Sequence, residues 1–160
     1  MFDILLNFCK WLQNTSLGLA VSGTLWGYPW VQLIHFFGLS IWIGTIVILD
    51  LRLLGVAARN QGVAELSDQL FPWTWTGFVI VITGGLMLFS ASAATYVQNY
   101  AFDTKIPLVL IGIALHIYIT TKVRKWDQPL GTPGVAKLAG LVELLIWVGV
   151  VTAAVNIPNY

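Results

Sequence analysis

Two stretches of the chain, 11–49 and 69–102, contain no aspartate, glutamate, lysine or arginine. Roughly 18 consecutive uncharged, mostly apolar residues are enough to suggest a membrane-spanning helix, and each of these runs is far longer. A soluble domain carries charge on roughly a quarter of its residues to cover its surface. Here the charged fraction is 9%, against 58% hydrophobic residues. The chain is therefore expected to be an integral membrane protein, with a single domain spanning residues 1–160.

The remaining totals mostly exclude. A net charge of +1 without a basic run gives no footprint for nucleic acid. The lone cysteine, Cys9, rules out an intrachain disulfide and a cysteine-based metal cluster. No nucleophile has a nearby base, and no HExxH, phosphate-binding loop or pair of carboxylates on one helix face is present, so a stand-alone enzyme is not expected. The methionines are only Met1 and Met87, too few for a thioether copper relay. The opening MFDILLNFCKWLQ has an acid at position 3 and no basic region, so it does not read as a cleaved signal peptide. Its apolar positions predict a short amphipathic helix on the membrane surface.

Four spans follow, at about 29–51, 72–95, 105–122 and 136–156, making an all-α four-transmembrane-helix bundle. Pro29 and Pro107 suit the first turns of spans one and three. Residues 58–69 read as a polar loop, and DQPLGTPG at 127–134 as a proline–glycine break. Arg52, Arg59, Lys122, Arg124, Lys125 and Lys137 fall on one side of the bundle, and Lys10 and Lys105 on the other. The positive-inside rule then puts the first and third loops in the cytoplasm and both termini in the periplasm of a bacterial inner membrane. Tryptophans and tyrosines near the span ends fit the headgroup belts.

Both histidines lie in oily runs, His35 in WVQLIHFFGLSIWIG and His116 in LIGIALHIYI. A polar side chain inside a membrane should face the bundle interior and have a partner. Neutral imidazole ligates haem iron through one nitrogen while an acceptor holds the other. Gly38 and Gly112 lie on the helix faces of His35 and His116, where a flat macrocycle would need a gap, although small residues also let helices pack closely. Both histidines are thus candidate metal ligands, with both glycines beside the cofactor. Depth strains the simplest arrangement. His35 lies about 9 Å below the outer end of its span and His116 about 16 Å, at 1.5 Å per residue. One haem per histidine fits as well as one haem bridging both.

His116 has a second expected partner. It lies six residues before Lys122, and Glu143 six residues after Lys137, which puts both about 9 Å from the inner face. They can pair as a structural contact, as a proton-linked element, or with Glu143 holding a metal-bound His116. Asp50 and Arg52 flank the inner boundary in ILDLRLLG as interfacial anchors, or with Asp50 paired to Lys122 or Arg124. Lys105 stands alone at the opening of span three.

The segments YPWVQLIHFFGLSIWIGTIVILDLRLLG, LFPWTWTGFVIVITGGLMLF and NYAFDTKIPLVLIG resemble a bacterial family of small four-helix membrane proteins without an assigned function, over about Trp11 to Trp147. The resemblance puts any shared role on His35, Asp50, Arg52 and Lys105. The chain departs from that family's expected pattern late in span four, where no basic residue follows Lys137. His35 with Trp42 and Gly44 is loosely similar to the first helix of the copper-resistance D membrane family, which would imply periplasmic copper handling. Helix histidines also resemble those of small b-type cytochromes. The leading expectation is a membrane subunit of a larger redox complex that binds b-type haem and passes electrons, with other membrane subunits or a periplasmic redox protein as partners. The alternatives are a non-catalytic anchor packed against partner subunits or pigments, and a copper-handling protein.

Overall fold

Both uncharged runs fold into long helices. The computed structural model describes residues 2–128 and 131–157, with no strand among them. The six helices are α1 (Phe2–Gln13), α2 (Ser16–Ser22), α3 (Gly27–Leu53), α4 (Val63–Tyr96), α5 (Tyr100–Trp126) and α6 (Gly134–Asn156). The last four are long and apolar enough to cross a membrane. The molecule is a multi-pass, all-α bundle with Leu, Ile, Val and Phe side chains along its outer faces.

Some boundaries have a local cause and one does not. Pro29 is the third residue of α3, as its fixed φ favours. Gly55 takes φ +76° just past α3, a conformation only glycine adopts without cost, and Val56 N–H closes back onto the Leu51 carbonyl. The expected loop at 58–69 is shorter than its polarity suggests, because α4 already begins at Val63. Its first amides, on Val63 and Ala64, donate to the Asp127 carboxylate at 3.0 and 3.2 Å. That carboxylate comes from the far end of α5, so no local pattern reveals the cap. Pro72 therefore lies well inside α4 instead of at its start. Likewise α5 begins at Tyr100, where the Asn99 side chain accepts from the Ala101 and Phe102 amides. Pro107 is thus about two turns in, not in the first turn. Of the expected proline–glycine break, Pro129 and Leu130 lie outside the described residues.

The expected amino-terminal helix is α1, and a second short helix, α2, follows it. Thr15 caps α2, its hydroxyl oxygen accepting from Gly18 N–H. Both α1 and α2 pack against α4. Cys9 is buried, and Gln13 Nε2 donates to the Ala91 carbonyl across that contact.

Two antiparallel pairs, α3 with α4 and α5 with α6, build the bundle. The α3–α4 seam is very close. A Cβ on Gly77 would sit 2.6 Å from the Trp42 backbone nitrogen, and one on Gly38 would sit 2.7 Å from Ile80 Cγ2. Small residues permit such backbone approach in membranes, where the gain comes from dispersion. Gly112 gives the same clearance to the Trp147 ring on α6. Leu49, Leu53, Ile119, Val123 and Trp126 form one core cluster, toward the Arg52 end of α3, and Trp42, Ile46, Val81, Trp147 and Val150 form a second.

Candidate functional site

The α3–α4 seam fixes His35. Gly84 and Gly85 lie against its ring, with the Gly84 Cβ position 3.0 Å from His35 Cβ and the Gly85 position 3.3 Å from Cε1. The seam also brings His35 Nδ1 to 3.0 Å from the Val81 carbonyl. A carbonyl only accepts, so Nδ1 carries the hydrogen. In the neutral ring, Nε2 then keeps a lone pair, and it has no protein partner among the described residues. His35 borders a cavity of about 420 Å³ whose walls include Gly85, Phe89, Phe102, Lys105 and Val109. Lys105 is half-buried there, and its ammonium has no hydrogen bond or ion pair among the described residues. A stack of three near-parallel rings (Phe89, Phe102 and Tyr96) supports the same end, at interplanar angles of 12–14°.

His116 occupies a different place. Its Nδ1 is 3.0 Å from Glu143 Oε1, which also accepts from Trp147 Nε1 at 3.3 Å. The open space beside His116 is a void of about 10 Å³ shared with Thr74 and Trp75. That is room for about one water and not for a macrocycle. Glu143 is completely buried, and the Asp50 carboxyl, also completely buried, faces it. Neither Asp50 oxygen has a hydrogen-bond partner among the described residues, nor does Glu143 Oε2.

The eight candidate residues therefore separate. His35 and Lys105 share the cavity. His116, Glu143 and Asp50 form a second cluster deeper in the bundle. Trp42 lies between the two, lining both spaces, with its ring 4.7 Å from the Trp147 ring. The two glycines expected beside a cofactor serve instead as helix contacts, Gly38 against Ile80 and Gly112 against Trp147. Of the glycines on the neighbouring helix, Gly84 packs against His35 and Gly85 borders the cavity beside it. Asp50 is neither an interfacial anchor nor paired with Lys122 or Arg124. The α3–α6 contact turns it inward, while Arg124 binds Asp68 at 2.9 Å and Lys122 lies over the Tyr118 ring. Arg52 lies at the carboxy-terminal end of α3, where its Nε donates to the Gln61 carbonyl at 2.8 Å.

The sequence marked Trp42 only through the copper-resistance D resemblance, and Trp147 and the Gly84–Gly85 pair were missed. The i, i+4 spacing of Glu143 and Trp147 was visible and places them on one face. The glycine pair in ITGGL, inside an uncharged run, was a visible mark of close approach. Among the described residues, no three of His, Cys, Asp and Glu converge as metal ligands. The chemistry available is thus one open imidazole nitrogen with an unpaired ammonium in an apolar cavity, and one buried carboxyl–imidazole cluster.

No curated protein and no solved structure gives a significant match to the chain. One family model matches residues 8–158, nearly the whole length, and the chain belongs to that family of unknown function, DUF6644.

Proposed function

We propose that this protein is a haem-binding membrane subunit of a redox complex, with His35 as the iron ligand in the cavity among α3, α4 and α5. The observation that carries this reading is the state of His35. Its Nδ1–H is committed to the Val81 carbonyl, its Nε2 has no partner among the described residues, and it borders the 420 Å³ apolar cavity. An acceptor on the far nitrogen fixes the tautomer and the ring orientation, as the partners of ligating histidines do. Lys105 adds a cation to the cavity wall, suited to the carboxylates that a haem carries. Bound haem supplies one-electron redox chemistry. The chain's own part is to hold the ring plane of His35, exclude water with Phe89, Phe102 and Val109, and neutralise an anionic group with Lys105.

Charge placement supports a bacterial inner membrane with the cavity end toward the periplasm, because Arg52, Arg124 and Lys125 mark the opposite end. A periplasmic redox protein or neighbouring membrane subunits would be the electron partners. The test is the reduced-minus-oxidised absorption spectrum of the detergent-purified protein. A b-type α-band that is lost in His35→Ala supports the reading. A flat spectrum from well-folded protein overturns it and leaves the non-catalytic accessory subunit in its place.

A further inference from the structure

The second cluster has no part in the cavity. Asp50 from α3 and Glu143 from α6 are each completely buried, and their carboxyls face one another in the membrane interior. Beside them, α5 contributes the His116 imidazole, which binds Glu143, and α4 the hydroxyl of Thr74, which shares a void with His116 and donates to Thr45. No lysine or arginine reaches the pair. Arg52 is engaged with the Gln61 carbonyl, Lys122 lies over Tyr118, Arg124 is bound to Asp68, and Lys137 is exposed. Two adjacent carboxylates with at most one imidazolium beside them would leave a net negative charge in a medium that cannot solvate it. Like-charge carboxyls at short range resolve this by keeping a proton.

A second observation points the same way. Both Asp50 oxygens and Glu143 Oε2 are sealed from solvent and have no hydrogen-bond partner among the described residues, while Glu143 Oε1 has two donors, His116 Nδ1 and Trp147 Nε1. Buried acceptors of this kind are rarely left unpaired. A single carboxyl hydrogen between Asp50 and Glu143 gives Oε2 and one Asp50 oxygen a partner at once. We propose that Asp50, Glu143 and His116 form a proton-binding site inside the membrane, in which the two carboxyls share one proton at neutral pH and His116 connects them to the outside. The void of about 10 Å³ beside His116 and Thr74 has room for one water, and Trp75 in its wall is partly exposed. A proton arriving on His116 Nε2 releases the one on Nδ1 to Glu143 Oε1, so one proton enters the cluster and the imidazole ends neutral. This site is independent of the haem reading and stands whether or not His35 binds iron.

The experiment is infrared spectroscopy of the purified protein in lipid bilayers, in light and heavy water, across a pH series. The wild-type protein should show the carbonyl band of a protonated carboxyl at neutral pH, shifted downward in heavy water. Asp50→Asn should remove the band, and Glu143→Gln should remove or displace it. Because the wild-type titration needs no variant, failure of either variant to fold leaves the test intact. Absence of the band in wild type at neutral pH overturns the proposal, and so does a band unchanged in both variants. A band that sodium ions abolish at constant pH marks a cation site and overturns it as well.

Discussion

Replacing Gly77 with alanine tests the seam that positions His35. The new Cβ would lie 2.6 Å from the Trp42 backbone nitrogen and 3.0 Å from Trp42 Cα and Cβ. Backbone does not yield as a side-chain tip does, so α3 and α4 must separate by about 0.8 Å to restore ordinary contact at 3.4 Å. Overpacking of this kind costs about 1–3 kcal/mol. Alanine also gains helix propensity over glycine, worth about 1 kcal/mol. Gly44→Ala isolates that gain, because nothing lies within 4 Å of its Cβ position. The two variants should therefore differ by about 1–3 kcal/mol, with Gly44→Ala at or above wild type. The assay is reversible unfolding in mixed micelles, read by tryptophan fluorescence. The same separation would stretch the His35 Nδ1–Val81 contact from 3.0 Å to about 3.8 Å, beyond hydrogen-bonding distance. Gly77→Ala should then also weaken any ligand held by His35, while Gly44→Ala should not. Equal stabilities for the two variants, within about 0.5 kcal/mol, would refute the close-contact argument.

Two further outcomes follow from side chains near the carboxy-terminal end of α5. Asp127→Ala removes the acceptor for the Val63 and Ala64 amides; it should cost about 0.5–2 kcal/mol and speed hydrogen exchange selectively at the start of α4. Arg124→Ala breaks the pair with Asp68, but both side chains are mostly exposed, at 74% and 62%, so stability should change by less than about 1 kcal/mol in the same unfolding assay.

The membrane character and the four spans were legible because the uncharged runs leave no other fold open. Helix ends were less so. Asp127 lies 64 residues after the Val63 amide that it caps, and no local pattern carries such a contact. The His116–Glu143 pair could be read from depth alone, since both residues count six positions from a lysine at the inner face. Asp50 could not. Counting along α3 puts it near the boundary, and only the rotation of that helix against α6 shows that it is buried. The role of Gly38 was ambiguous for a related reason. Small residues beside a histidine suit a ligand and a helix contact equally, and the partner helix decides between them. Here α4 fills the space at Gly38, and the cavity beside His35 is bordered by Gly85.

The central claim is that His35, and not His116, holds the redox group. The measurement that tests it most directly is the reduced-minus-oxidised absorption spectrum of wild type, His35→Ala and His116→Ala, purified side by side and matched for folded protein. The account predicts a b-type band in wild type, its loss in His35→Ala, and its retention in His116→Ala, whose ring meets Glu143 and a void of water size. A band that survives in His35→Ala, or no band in any of the three, would contradict it.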